Sequence, residues 1–171
     1  MNKYLAIFGL LWICFSVKAQ IKTSFPAEIT EKAYAVIQSN EIDFICESAT
    51  NALKKESYTV TVLDEKGKEA AHFLCMCDQF SSLNKFSGEV YDRAGNLIRK
   101  IKKSELKMSE YSSGLTTDDY MYFFECNIGQ YPYTVKYEWE IKYKNGLISF
   151  PPFAPQSRFN LSVMEANYRL H

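Results

Sequence analysis

Val135-Lys136-Tyr137-Glu138-Trp139-Glu140-Ile141-Lys142-Tyr143 decides the fold. Val135, Tyr137, Trp139, Ile141 and Tyr143 alternate with Lys136, Glu138, Glu140 and Lys142. A period of two puts every large apolar residue on one face of a strand and every charge on the other. The stretch is therefore read as a half-buried antiparallel strand with a solvated outer face. Asn145-Gly146 follows at once, and both residues tolerate the positive φ of a two-residue hairpin turn. Leu147 to Phe150 is the expected return strand. Pro151, Pro152 and Pro155 then interrupt pairing, because proline has no N–H for a ladder.

Outward from this hairpin the same pattern recurs. Glu41 to Cys46 places Ile42, Phe44 and Cys46 on one face. Tyr58 to Leu63 is a β-branched run ended by the turn Asp64-Glu65-Lys66-Gly67. Ala71 to Cys77, Phe86 to Tyr91, Leu97 to Ile101, Tyr120 to Cys126 and Phe159 to Val163 read as further strands. Tyr120 to Cys126 is expected to be deeply buried. Short helical pieces are expected near Pro26 to Val36, Gln79 to Leu83 and Ser104 to Met108, and Ser109 to Asp119 is expected to be a polar loop. With 12 Tyr and 12 Phe beside sparse helix signals, the class is all-β: an antiparallel sandwich or a large twisted sheet with a few helical turns.

The first residues point to a compartment. Lys3 precedes the apolar run Tyr4 to Val17, and Val17 and Ala19 stand at the −3 and −1 positions of a cleavage site before Gln20. This is the pattern of a secretory signal peptide over residues 1–19, and the run is short for a membrane span. Ile13 is too large for the residue preceding a lipidated Cys14. An exported chain is expected, without distinction between periplasm, cell surface and medium, and with no membrane span after cleavage. Residues 1–19 hold two of the 20 basic residues (Lys3 and Lys18) and no acid. The remaining 152 of the 171 residues thus carry 18 basic against 20 acidic side chains, a net charge of −2. That gives no electrostatic case for nucleic acid. Residues 20–171 are read as a single β-rich domain.

Four cysteines remain in it, Cys46, Cys75, Cys77 and Cys126. They allow three disulfide connectivities, and free buried thiols are an equal alternative. Cys75 and Cys77 share a strand face and are not expected to bridge each other.

Candidate chemistry is thin. Cys46, His72 and Asp78 contain the residue types of a thiol triad, but nothing around Cys46 suggests a lowered thiol pKa. The other histidine, His171, is terminal and expected to fray. Cys75-Met76-Cys77 with His72 offers soft metal ligands, although a one-residue gap is a poor start for zinc. Asp118, Asp119 and Glu125 lack calcium-loop spacing. Tyr120, Tyr122, Phe123, Phe124, Tyr131 and Tyr133 contain the makings of a sugar-stacking platform, though such stripes are more often core. No catalytic residue, metal site or cofactor is expected.

The order of several segments resembles the domain-of-unknown-function family 3857. Ala33-Tyr34-Ala35-Val36-Ile37 leads into Glu41-Ile42-Asp43-Phe44, and Tyr58 to Gly67 forms a strand and turn. Asp78-Gln79-Phe80-Ser81-Ser82-Leu83 and Gly88 to Gly95 follow. Thr116-Thr117-Asp118-Asp119-Tyr120 resembles the family's acidic element. Tyr131 to Glu140 and Phe150-Pro151-Pro152-Phe153-Ala154-Pro155 complete the order. The resemblance runs roughly from Pro26 to the end. It implies a sandwich-like β-module that stands before a transglutaminase-like domain in exported Gram-negative proteins, and it carries over no catalytic residue. No such domain follows His171, so a truncated gene, a stand-alone relative or a fragment is expected, with the β-module incomplete at its C-terminal end. The expected role is a non-catalytic interaction or scaffold module. Its partner would be a transglutaminase-like domain or another exported protein. The alternatives are a polysaccharide- or cell-wall-binding module, with a glycan as ligand, and a small enzyme using Cys46.

Overall fold

The computed structural model describes residues 21–110, 119–146 and 150–171. The signal-peptide reading, most of the polar loop (Tyr111 to Asp118) and the return strand from Leu147 lie outside the described residues.

The chain builds two sheets. Strands β1 (Ala35–Cys46), β2 (Ala52–Val62), β3 (Phe73–Cys77), β4 (Ser81–Tyr91), β5 (Leu97–Lys102) and β6 (Lys107–Glu110) come first. β7 (Tyr120–Phe124), β8 (Tyr133–Tyr143), β9 (Leu161–Val163) and β10 (Ala166–Leu170) follow. The large sheet has the order β10-β1-β2-β8-β4-β5, with β9 also on β1, and the small sheet has the order β3-β7-β6. The expected all-β class is what the chain forms, and of the two arrangements considered it takes the two-sheet one.

β8 lies inside the large sheet, paired antiparallel with both β2 and β4. Tyr133, Val135, Tyr137 and Ile141 are buried on one face, as the period-two pattern requires. The opposite face carries a row of alternating charge. Arg169, Asp43, Lys55, Glu140 and Lys85 stand side by side across β10, β1, β2, β8 and β4. Arg169 reaches Asp43 at 2.8 Å and Lys85 reaches Glu140 at 3.0 Å. Opposite charges on neighbouring strands stabilise pairing modestly and keep this face wet.

The inner face packs on the small sheet through an aromatic hub. The Phe73 ring lies 4.5 Å from Phe86, 5.2 Å from Trp139 and 5.5 Å from Tyr137. Cys75, Cys77, Val60, Val62 and Val90 complete the core around it. A short 3-10 helix, Glu65–Ala71, carries the chain from β2 to β3. Its Gly67 is required sterically, because a Cβ there would stand 2.1 Å from the carbonyl oxygen of Tyr34.

Several local expectations are corrected. The first helix is one turn, Ala27–Thr30, and Ala35 already begins a strand. Gln79 to Leu83 is a turn leading into β4, because β8 offers a ladder from Ser81 onward. Ser104 to Met108 divides into a 3-10 turn, Lys103–Glu105, and β6. Tyr120 to Phe124 is only half-buried, since the small sheet is covered on one face alone. The antiparallel pattern has a parallel edge, with β9 and β10 running alongside β1 in one continuous register. His171 is tied in: its N–H donates to Phe44 O and its carbonyl accepts from Cys46 N–H, each at 2.9 Å. Asn145 takes a positive φ of 63°.

Candidate functional site

The outer face of the small sheet is the most distinctive surface. Phe73, Cys75 and Cys77 point into the core, so Leu74 and Met76 must point away from it. Leu74 pairs with Phe123 and Met76 with Met121 across β3 and β7. Leu74 is 58% and Met76 55% exposed, while Met121 and Phe123 are half-buried. Four apolar side chains therefore form one contiguous patch. Beside it, Leu74, Met121, Phe123, His72 and Glu125 line a depression of about 390 Å³. Lys107 stands over the Phe123 ring at 5.8 Å and gives the patch a cationic border.

A second concavity of about 270 Å³ opens between the sheets, lined by Asn40, Glu56, Tyr58, His72, Trp139 and Arg158 among others. Asn40 Oδ1 and His72 Nε2 are buried there without a protein hydrogen-bond partner. Buried polar atoms are nearly always paired, so each needs a water or a ligand group. Arg158 closes one side by an ion pair with Glu69 at 2.7 Å.

The sequence candidates are dispersed by this fold. His72 and Asp78 flank the five residues of β3, and a rise of about 3.3 Å per residue keeps them roughly 20 Å apart. Asp78 Oδ1 instead accepts from the Phe80 N–H at 2.9 Å and the Ser81 hydroxyl at 2.7 Å, forming a turn. Cys46 is exposed at the end of β1. No hydrogen bond joins these three among the described residues, so the triad is not assembled. His72 has the opposite parity from Cys75 and Cys77, which removes it from their ligand set. Among the described residues no group of three or more His, Cys, Asp or Glu side chains could hold a metal ion. Asp118 lies outside the described residues. The stacking platform is not formed either. Tyr133 is 1% exposed, and Tyr120, Tyr122 and Phe124 pack on the core. The four cysteines are free thiols, and three of them are buried. The exposed patch on β3 and β7 was missed by the sequence reading. Its only signal was the apolar character of both alternating positions, and that cannot tell a doubly covered strand from an uncovered one.

The geometry defines a two-sheet β-module with one polar outer face and one apolar outer face. The DUF3857 family model, a domain of unknown function for which a structure has been solved, matches residues 52–171, and this chain belongs to that family. The matched span begins at β2, so β1 is supplied from outside it. No curated protein matches the chain significantly. Among solved structures, a candidate protease from Parabacteroides distasonis ATCC 8503 is similar with a TM-score of 0.57 and 11% identity. The similarity covers 66% of this chain and 24% of that one, so the shared fold makes up about a quarter of that protein. At that identity the likeness concerns the fold alone. An M1 zinc metallopeptidase from Deinococcus radiodurans aligns over 66% of this chain and 21% of its own, at 6% identity and a TM-score of 0.32. That value is too low to support an argument. Among the described residues no helix is long and apolar enough to cross a membrane.

Proposed function

We propose that this chain is an exported, non-catalytic interaction module that docks a neighbouring protein domain on the outer face of its small sheet. The observation that carries this reading is the patch of Leu74, Met76, Met121 and Phe123. A surface of contiguous large apolar side chains is costly to leave in water, and such patches mark contact sites. The occurrence of a similar fold as about a quarter of a longer protein supports a modular role. The dispersal of Cys46, His72 and Asp78 supports the non-catalytic part. A transglutaminase-like domain is the partner that the family resemblance suggests.

The test is hydrodynamic. Purified chain should self-associate with rising concentration as copies cover each other's patch. Leu74→Glu with Met76→Lys should return it to a monomer without loss of thermal stability, since both side chains are already exposed. A wild-type chain that stays monomeric at high concentration overturns the docking reading. Export is tested separately. A chain beginning at Gln20 in the exported fraction supports it, and intact Met1 in the cytoplasm contradicts it.

A second reading, a glycan-binding module, rests on the concavity that holds the orphaned Asn40 and His72 atoms beside Tyr58 and Trp139. Aromatic walls with unpaired polar groups suit a sugar ring. Retention of the chain on insoluble cell-wall glycan, lost in Asn40→Leu, would favour it. Equal retention of both chains, or none of either, would remove it.

A further inference from the structure

Cys75 and Cys77 both point into the core from β3, and each is 4% exposed. Their sulfurs lie 3.9 Å apart. Two residues along a strand separate Cα atoms by roughly 6.6 Å, near the upper limit for a disulfide. Closing to an S–S bond of about 2.05 Å would require the strand to buckle. β3 resists that, being laddered to β7 at every residue from Phe73 to Cys77. The fold thus holds two thiols close together without offering them an easy oxidative bond.

The spacing instead matches one ion held between two sulfurs. With metal–sulfur bonds of about 2.3 Å a linear arrangement spans about 4.6 Å, so the 3.9 Å pair reaches it by opening about 0.7 Å. Each sulfur has one ammonium and one carboxylate in its surroundings, Lys54 and Glu56 for Cys75, Lys103 and Asp78 for Cys77, and Lys54 is itself paired with Glu56 at 2.6 Å. The Leu83 N–H also donates to Cys77. In the resting pair one thiol donates to the other. Met76 points to the opposite face and His72 has the opposite parity, so the donor set is two sulfurs. Four-coordinate zinc is poorly served by such a set. Soft thiolates with no demand for further ligands suit a closed-shell monovalent ion.

We propose that Cys75 and Cys77 form a two-coordinate site for copper(I). Binding releases both thiol protons and transfers no electron. The resulting complex of two thiolates and one cation carries a single negative charge.

The test titrates reduced full-length chain with copper(I), anaerobically, against a chromophoric copper(I) chelator. One equivalent should be retained, with an ultraviolet thiolate-to-copper band. Cys75→Ser and Cys77→Ser should each weaken retention by more than the roughly 10- to 100-fold typical of losing an outer partner. Cys46→Ser and Cys126→Ser should retain the ion. Unchanged retention in Cys75→Ser, or no retention by the wild type, overturns the site. If the serine variants do not fold, the wild type decides with silver(I) as a redox-silent probe. One equivalent that leaves Cys46 open to rapid alkylation places the ion at the buried pair. Loss of Cys46 alkylation places it at the surface and overturns the proposal.

Discussion

The Tyr137 hydroxyl donates to the carbonyl of Ala71 at 2.7 Å, inside the core. This bond ties the middle of the large sheet to the end of the 3-10 segment that delivers β3. It also satisfies a carbonyl that has lost contact with water. Tyr137→Phe removes the donor and keeps the ring, so a destabilisation of about 1–3 kcal/mol is expected from the stranded carbonyl. Tyr137→Ala also removes the ring from Phe73 and Phe86 and should cost about 3–5 kcal/mol. Urea unfolding of the two variants checks both values. Equal stability of Tyr137→Phe and the wild type would show that the bond contributes nothing net.

Two glycines should differ sharply when changed to alanine. At Gly67 the new methyl meets backbone, the Tyr34 carbonyl. At Gly88 it meets the Tyr137 ring and the Ile101 side chain, each at 3.0 Å. Side chains can give way by tenths of an ångström and a backbone carbonyl cannot. Gly67→Ala is therefore expected to unfold the chain or cost several kcal/mol, while Gly88→Ala costs about 1–3 kcal/mol as an overpacked site. Thermal melting in parallel ranks them, and the reverse order refutes the argument.

Lys54 and Glu56 face inward on β2 and pair at 2.6 Å with side chains only 14% and 11% exposed. Lys54 also stands 5.9 Å from the Trp139 ring. Removing one partner strands the other charge. Lys54→Met should destabilise by about 3–5 kcal/mol, and the double change Lys54→Met with Glu56→Leu should recover most of that loss. A double-mutant cycle with no coupling would mean that water already solvates the pair.

Stability should fall at both ends of the pH range. Hydrogen bonds from Arg169 first, and His171 second, hold the Asp43 pKa below its ordinary value. A depressed carboxyl contributes stability above its unfolded pKa, near 4, and loses it as pH falls through the lower folded value. Asp43→Asn should therefore matter at neutral pH and cease to matter once pH has fallen through the lowered folded value. At the alkaline end, burial pushes the Cys126 thiol up to about 11. Burial, followed by the Glu89 hydrogen bond, pushes Tyr91 up to about 12. Tyr58, Tyr133, Tyr137 and Tyr143 are raised further by burial. Raised groups stabilise fully below their unfolded pKa values, and that contribution is lost as pH climbs through the folded ones. Denaturant midpoints should hold steady to about pH 9 and drop steeply from there to pH 12. A flat alkaline limb would contradict the buried-tyrosine core.

Thiol reactivity should separate one cysteine from three. Cys46 is exposed, and Cys75, Cys77 and Cys126 are buried. In a chain beginning at Gln20, a disulfide-forming reagent should titrate one thiol in the native state and three more after unfolding. More than one fast thiol in the native state would contradict the packing around β3.

The amino-acid sequence by itself determined the centres of most strands and the buried face of β8. Alternation from Val135 to Tyr143 set which side of β8 is buried, because side-chain direction in a strand is a local property with a period of two. Asn145-Gly146 marked its turn, because positive φ is a demand on single residues. The family, too, was legible in the order of such segments. Tertiary structure decided what no local pattern encodes: which strands pair, and which face of each sheet is covered. β10 escaped notice since Ala166–Leu170 becomes a strand only by lying parallel to β1, more than a hundred residues away in sequence. Leu74 and Met76 look as buried as Cys75 and Cys77 in sequence. Only the stacking of one sheet on the other sends the cysteines into the core and leaves the leucine and methionine facing water, because burial is set by partners from distant parts of the chain.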